Sequence, residues 1–403
     1  PSTSALMALE RKVEALTLEI LRLKAERIRV PVPVEPINGF APAASKVYAT
    51  KSGLTIGGYG DMLFVNFTDR RDDDTPASMN SEADFVRAVT YFGYRFDDHF
   101  VFNSAIELRH AEVDGSGGSG EIAVEFAYLD YSWKKTLGFR GGLLLLPVGF
   151  LNEQHEPQSF HGARRPEVEQ RIIPTTWREN GIGVYGEAWN RVTYRLYLTN
   201  SLNASGFTGA GGITSGRQNG SNAKASDLAW SGRVDYQPIK DLLVGVSFFT
   251  GKTGQGTTGF PGGRFSLWEI HSQYEWRSAR FRGLFARGIL SDAGEISLAI
   301  DGTGMTAIGE RMHGWYVEGS VNVLYPLNTR QEVRPFCRYE DLDTQLEVAG
   351  GFSSDPANDM TVKTCGVRYR PIPNIVVTVE AQNFNQGDQR AVDRVNIGLG
   401  YNF

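Results

Sequence analysis

From residue 53 to residue 403, apolar and polar residues alternate in sixteen successive segments. The last segment is the clearest: Val395, Ile397, Leu399, Tyr401 and Phe403 are apolar, and the residues between them are Asn or Gly. Because strand side chains point to opposite faces in turn, this pattern predicts strands with one apolar and one polar face. The predicted strands cover residues 53–67, 84–96, 99–112, 122–133, 137–146, 181–188, 192–200, 228–237, 241–250, 265–277, 279–290, 313–325, 332–342, 360–371, 374–384 and 391–403.

The connections between these segments alternate in length. After even-numbered segments they are tight, as at 97–98 and 372–373, whereas after odd-numbered segments they are mostly long and polar, as at 201–227 and 291–312. Short periplasmic turns and long external loops are typical of outer-membrane barrels. We therefore predict an all-β fold, a sixteen-stranded antiparallel transmembrane β-barrel over 53–403, with both chain ends in the periplasm. A soluble protein of several β domains would not keep this rhythm.

The composition fits this prediction and excludes other classes. The chain has 46 Gly, 23 Phe, 16 Tyr and 7 Trp, and it contains no run of about 18 apolar residues that could form a transmembrane helix. Its net charge of −5 argues against a general nucleic-acid partner. The first residues lack the basic and apolar regions of a signal peptide, so we expect a mature chain located in the bacterial outer membrane.

The N-terminus has a different periodicity. Six apolar residues follow spacings of three and four: Leu6, Leu9, Val13, Leu16, Ile20 and Leu23. This heptad pattern predicts a periplasmic α-helical coiled coil over 1–28, with a lone amphipathic helix as the alternative. The β-branched residues Val13 and Ile20 at a positions, with Leu at d, favour a dimer. Four prolines then predict an extended linker over 29–52.

The longest connection carries a distinctive sequence. It contains PVGFLNEQHEP, RRPEVE and IIPTTWRENGIGVYG, all between residues 146 and 186. This stretch, with the barrel around it, resembles the phosphate-selective porin O and P family, and the resemblance covers 53–403. It implies a homotrimer whose third long loop folds into the lumen. The chain departs from that family's pattern in its few lysines and in acids interleaved with its arginines.

The third long loop by our assignment is 147–180, and we predict that it forms an inward constriction loop. Its prolines and aromatic residues favour an ordered structure. Arginines on the loop and on the polar faces of the strands are candidates for an anion path, because arginine binds phosphate and carboxylate with two donors. The candidates are Arg164, Arg165, Arg171 and Arg178 on the loop and Arg87, Arg109, Arg282 and Arg338 on strands. The alternative is that these arginines pair with the acids beside them and fix the loop to the wall.

The sequence thus predicts a water-filled porin for passive diffusion of small hydrophilic solutes, with a preference for anions such as phosphate. Its partners would be these solutes, outer-membrane lipid and lipopolysaccharide. The second hypothesis is a structural barrel whose coiled coil tethers the outer membrane to a periplasmic or cell-wall partner. We predict no enzyme activity, no cofactor and no metal site, because no catalytic or ligand motif occurs at the required spacing.

The two cysteines lie on neighbouring predicted strands. The polar face at Arg338 and Arg368 places both Cys337 and Cys365 on the outward face. If the hairpin is symmetric about residue 351, the two face each other, and an oxidising compartment permits a disulfide. Two unbonded, small apolar residues on the lipid face remain the alternative.

Overall fold

The computed structural model of the protein describes residues 11–19, 36–111, 120–189, 191–301 and 307–403, together with residues 7 and 21. In these residues sixteen antiparallel strands form one closed barrel, in which each strand pairs with its sequence neighbours and β1 pairs with β16. The strands are β1 Gly53–Arg71, β2 Glu82–Arg95, β3 Phe100–Arg109, β4 Glu121–Lys134, β5 Leu137–Leu145, β6 Arg178–Ala188, β7 Val192–Asn200, β8 Leu228–Ile239, β9 Leu242–Lys252, β10 Arg264–Trp276, β11 Ala279–Leu290, β12 Gly309–Val321, β13 Glu332–Val348, β14 Asp359–Ile372, β15 Ile375–Gln386 and β16 Val392–Asn402.

The predicted number and order of strands are confirmed. β7 and β11 have the predicted bounds residue for residue, whereas β12 begins and ends four residues earlier than predicted. The difference arises at Asn322, whose side-chain oxygen accepts the backbone N–H groups of Leu324 and Val333. These hydrogen bonds form a turn at Asn322, and β12 therefore ends before the apolar residues Val323 and Leu324.

The outer face of the barrel is apolar. In β16, Val395, Ile397 and Leu399 are 40–44% exposed, while Asn396 between them is fully buried on the inner side. Exposed aromatic residues gather near the short turns, as expected for a belt at a membrane interface. They include Phe96, Phe100, Trp133, Trp189, Trp276, Tyr325 and Phe403.

The cysteines lie as the face assignment predicted. Cys337 on β13 is directly opposite Cys365 on β14, and both lie on the exposed outer face. Their Cα atoms are 4.2 Å apart and the two residues form a disulfide. Of the two alternatives that the sequence left open, the structure has the bonded one.

The inner face of the barrel carries buried side chains around its whole circumference. Every strand places at least one inward side chain that is no more than 6% exposed. These are Tyr59, Val89, Ala105, Phe126, Leu144, Tyr185, Tyr197, Arg233, Ser247, Glu269, Leu284, Tyr316, Arg338, Thr364, Glu380 and Asn396. The physical reason is that chain segments outside the strands fold into the barrel and pack against its wall.

Three groups of residues provide this covering. The connection 146–177, which we call the inner loop, packs its apolar residues against the wall from β9 to β15. Residues 201–227 and the helix Ala293–Asp301 pack into the same cluster from the long-loop end. Residues 36–50, which we call the N-terminal segment, cover the wall from β1 to β7.

The N-terminal prediction is only partly within the described residues. The coiled coil predicted for 1–28 lies mostly outside them; residues 11–19 are helical and exposed. The linker predicted for 29–52 is described from residue 36, and from there it packs into the barrel instead of extending as a spacer. In the described part of the chain, no helix is both long enough and apolar enough to span a membrane.

Candidate permeation site inside the barrel

The inner loop is closed at its neck by one asparagine. Asn152 donates its side-chain N–H groups to the carbonyls of Leu146 and Trp177 at 2.7 and 2.9 Å, and its oxygen accepts the Trp177 N–H at 2.6 Å. The Leu146 N–H also donates to the Trp177 carbonyl. Asn152 and the Trp177 ring are buried. Because these groups are satisfied only in this arrangement, the loop leaves and re-enters the wall at one point.

The far side of the loop is anchored to β12 and β13 by a buried polar network. His161 Nδ1 lies 2.6 Å from Glu318 Oε1, and His161 Nε2 lies 3.1 Å from the Ser320 hydroxyl. Arg338 joins Glu318 at 3.2 Å and Glu340 at 2.8 Å. All five side chains are at most 5% exposed, so this network crosses from loop to wall without bulk water.

A second anchor is made by Arg368 of β14, which is 2% exposed. Its guanidinium donates to the backbone carbonyls of Pro157, Gln158 and Phe160. A charged donor satisfied by three loop carbonyls fixes the loop backbone as well as its side chains. Arg368 therefore serves the architecture of the loop and is not available to a permeating solute in this conformation.

The beginning of the loop, at Gly149, contacts a polar network on β8 to β10. Arg233 donates to the carbonyl of Gly149 and to Asp235 at 2.8 Å. His271 bridges Asp235 and Glu269, with ring nitrogens 2.9 and 2.8 Å from their carboxylates. These side chains are buried, so their charges are compensated mainly by one another.

The N-terminal segment completes a cage around Arg140 of β5. Arg140 pairs with Asp130 through two bonds of 2.7 and 2.9 Å, and its guanidinium lies 4.4 Å from the Tyr128 ring centre. Phe40 of the segment covers the guanidinium at 4.7 Å, and the Tyr48 hydroxyl donates to Asp130 at 2.6 Å. An Asn38–Gly39 turn with positive φ at both residues places Phe40 in this position.

One carboxylate of the inner loop joins the loop to the N-terminal segment. Glu156 Oε1 accepts the backbone N–H groups of Ala43 and Ala44 at 2.9 and 3.1 Å. Its other oxygen accepts the Asn402 side chain at 2.9 Å. Glu156 is fully buried, so the three donors replace water around its carboxylate.

Four of the eight predicted anion-path arginines are paired with carboxylates. Their acceptors lie on the same or the adjacent element, as the alternative reading of the sequence required. The pairs are Arg87–Asp61 at 2.9 Å, Arg109–Glu107 at 2.8 Å, Arg171–Glu167 at 3.2 Å and Arg338–Glu340 at 2.8 Å. Three of these pairs lie within the wall, and the pair Arg171–Glu167 lies within the loop.

The other four arginines have no carboxylate within 4 Å among the described residues. Arg165 donates to the Thr175 hydroxyl and the His155 carbonyl, and Arg178 donates to the Thr176 carbonyl. Arg282 donates to Gln273 and to the Ser159 carbonyl and lies 4.7 Å from the Phe150 ring centre. Arg164 is partly exposed. Arg164 and Arg165 are therefore the two cations of the inner loop that no carboxylate pairs with among the described residues.

Burial changes the acidity of the loop side chains. It lowers the pKa of Arg165 to about 10 and that of His161 to about 4, because both cations lose hydration. Burial also raises the pKa of Glu156, although its hydrogen bonds act in the opposite direction. His161 is therefore neutral at pH 7, and its Nδ1–H donates to Glu318.

Sequence reasoning missed the N-terminal segment and the Arg140 cage. Residues 37–48 were interpreted as part of a Pro-rich linker, yet they contain Ile37, Phe40, Val47 and Tyr48, which a solvated spacer does not require. The Asn38–Gly39 turn signal was also present.

In the residues that the structure describes, no group of three or more His, Cys, Asp or Glu side chains is placed to hold a metal ion.

The barrel resembles solved porins in fold. It matches OmpF of Salmonella typhi in complex with daunomycin at a TM-score of 0.57 and 14% identity, over 88% of this chain and 98% of that chain. It matches the anion-selective porin of Comamonas acidovorans at 0.51 and 12% identity, over 87% and 100%. The trimer form of OmpT, an outer membrane protein of Vibrio cholerae, gives 0.54 and 11% identity, over 88% and 100%. The closed barrel with an inward-folded loop thus has the sixteen-stranded porin fold.

Sequence comparison supplies the family. The chain is 37% identical over 385 residues to an "Uncharacterized protein" of Aquifex aeolicus (strain VF5), covering 93% of this chain and 86% of that protein. The chain belongs to the same family as this Aquifex protein. No family model matches the chain, so its resemblance to the phosphate-selective porin O and P family stays a prediction.

Proposed function

We propose that the protein is an outer-membrane porin, a passive channel for small hydrophilic solutes. The observation that carries this proposal is the combination of a closed barrel, an apolar outer face and a charged loop folded inside. The outer face would contact lipid and lipopolysaccharide, and the short turns would face the periplasm with the N-terminus.

Weak anion preference, with phosphate as one permeating anion, is the second part of the proposal. Support comes from Arg164 and Arg165 on the inner loop, which have no carboxylate partner among the described residues. The preference would be weak because the loop also carries Glu156 and Glu169, whose partners are neutral donors. Rings of arginine favour anions to the extent that nearby acids do not cancel them.

A homotrimer is the proposed assembly. Val13 and Leu16 of the N-terminal helical turns are 56% and 62% exposed in the single chain, as expected for apolar residues that pack against other copies, although their heptad positions by themselves favour a dimer. The fold similarity to a barrel described in a trimer form agrees with this proposal. Mass measurement in mild detergent tests it, and a protein that is only monomeric would contradict it.

The second candidate function is structural. The packed interior favours a barrel that tethers the outer membrane through its N-terminal residues to a periplasmic or cell-wall partner. Conductance separates the two functions, because a tether needs no open pore.

The experiment is a planar-bilayer recording of the purified full-length protein in a salt gradient. A porin gives discrete conductance steps and a reversal potential displaced toward the anion equilibrium potential. Replacing Arg164 and Arg165 by Glu should displace the reversal potential toward cations. A folded protein that never conducts, with or without residues 1–50, would support the tether.

A further inference from the structure

The N-terminal segment is seated in the barrel by many contacts but is covalently joined to it at one end only. Phe40, Ala41, Ala43, Ala44 and Val47 are each at most 3% exposed. The segment continues directly into β1 at Gly53, whereas its other end leads to residues 1–35 and the predicted coiled coil. A force or a binding event on residues 1–35 would therefore act on the segment first.

The wall beneath the segment combines apolar side chains, such as Phe126 and Leu144, with polar ones. The side chains that contact it include Arg140, Asp130, Asn103 and the Tyr128 hydroxyl, and Asn103 donates to the Ala44 carbonyl at 2.9 Å. By contrast, the wall beneath residues 201–227 and the helix Ala293–Asp301 presents apolar side chains. Among them, Phe249, Phe265 and Leu267 are fully or almost fully buried. Withdrawal of the segment exposes polar wall groups that water can solvate, which offsets part of the cost of uncovering the apolar side chains beside them.

The contacts of the segment are also of a releasable kind. Lys46 is its single charged residue, and this lysine donates to the Ile56 carbonyl. The remaining polar contacts use backbone groups and the Tyr48 hydroxyl, and in the described chain no ion pair joins the segment to the barrel. Water can replace each of these contacts after withdrawal.

We propose that residues 36–50 form a releasable plug, whose withdrawal at the short-turn end opens a water-filled path along the wall from β1 to β7. This inference rests on the proposed porin function, and it names residues 36–50 as the part of the chain that controls opening of the channel. The plug is coupled to the inner loop through Glu156, which loses its two backbone donors when Ala43 and Ala44 leave.

The first test compares the conductance of the full chain with that of chains lacking residues 1–35 or 1–50. We expect the first deletion to leave single-channel conductance unchanged and the second to raise it at least about twofold, because the cross-section of the path increases. Equal conductance in all three proteins would overturn the plug. Folding of each protein is checked by its heat-modifiable mobility.

The second test needs no conduction and keeps the chain at full length. Ser45→Cys places a buried thiol of almost the same size in the plug, and its reaction rate with a polar maleimide reports release. Glu156→Ala should raise this rate about tenfold or more, since two hydrogen bonds to a charged acceptor are lost. Glu169→Ala is the matched control, because Glu169 is an equally buried carboxylate of the same loop that contacts Leu151 and Tyr316 instead.

The two tests separate failure of the plug from failure of the channel. If no protein conducts but Glu156→Ala accelerates labelling and Glu169→Ala does not, the plug stands and the porin function fails. If labelling is equally slow in both variants, the plug is wrong whatever the conductance. Gly39→Ala gives an independent check, because an added Cβ would lie 2.7 Å from Arg195 Nη1 and 2.9 Å from Glu153 Oε1 and should also accelerate labelling.

Discussion

The inner loop and the N-terminal segment both cover the inner wall, but they are held in different ways. The loop is joined to a strand at each end and is fixed by buried ionised groups, with Arg368 and the Glu318–Arg338–Glu340 network as its anchors. The segment is joined to a strand at one end and is held by apolar packing and by hydrogen bonds, without an ion pair to the barrel among the described residues. Equal burial therefore does not mean equal permanence: the type of contact and the chain connectivity decide which covering can leave.

The largest expected effect concerns the loop anchors. Arg338→Ala leaves Glu318 and Glu340 buried without their shared cation, and we expect a loss of about 3–5 kcal/mol in the free energy of unfolding. The control Arg171→Ala removes an ion pair whose arginine side chain is 37% exposed, and it should cost less than about 1 kcal/mol. Urea unfolding in detergent micelles measures both values. Similar losses in the two variants would show that the buried network does not anchor the loop.

A phenylalanine in each region sharpens the comparison. Phe249→Ala on β9 should lower the free energy of unfolding by about 3–5 kcal/mol, since it removes a buried ring from the barrel wall. Phe40→Ala removes an equally buried ring, but the ring belongs to the segment, so its loss weakens docking of the segment to the wall. The free energy of unfolding of the barrel should therefore be nearly unchanged. The Ser45→Cys labelling rate should rise instead. Equal destabilisation by both variants would mean that the segment is an integral part of the barrel core.

Acid should loosen the loop at His161. The pKa of His161 falls from 6.5 to about 4 on burial, so the detached ring binds a proton more readily than the docked ring. Its contribution to docking is complete above pH 6.5 and is lost as the pH falls toward 4, by up to about 3 kcal/mol. The ring faces Glu318, Arg280 and Arg368.

The labelling rate of a thiol introduced by Ser159→Cys reports this change. The exposed thiol of Ala49→Cys is the reference, because it shows how labelling itself depends on pH. Relative labelling at residue 159 should rise between pH 6.5 and 4, and His161→Asn should flatten the profile. A profile that is the same with and without His161 would contradict the assigned role.

The smallest expected effect is that of salt on the segment. Raising ionic strength from about 0.1 to 1 M shortens the screening length from about 10 to 3 Å and weakens exposed ion pairs. Because Lys46 is the one charge of the segment, the Ser45→Cys labelling rate should change by less than about twofold. A much larger change would show that ionic contacts hold the segment.

The barrel was predictable because its signal is local and repeated. Alternation assigns each residue to a face, and the assignment at Arg338 and Arg368 was sufficient to place Cys337 opposite Cys365. The filling of the barrel was not predictable in the same way, since contacts such as Glu156 to Ala43 join residues more than one hundred positions apart. Arg87 and Arg164 have the same residue type and a similar predicted role, yet only their neighbours in space decide that the first is paired with Asp61 and the second is not.

Hydrogen–deuterium exchange of the full-length protein in lipid vesicles tests the central distinction most directly, because it follows both coverings in one sample. Amides of residues 36–50 should exchange at least about tenfold faster than the protected amides of residues 146–177, which corresponds to a docking free energy lower by about 1.4 kcal/mol or more. The strands should exchange most slowly. Equal protection of the two coverings, or slower exchange in residues 36–50 than in the inner loop, would contradict a fixed loop and a releasable segment.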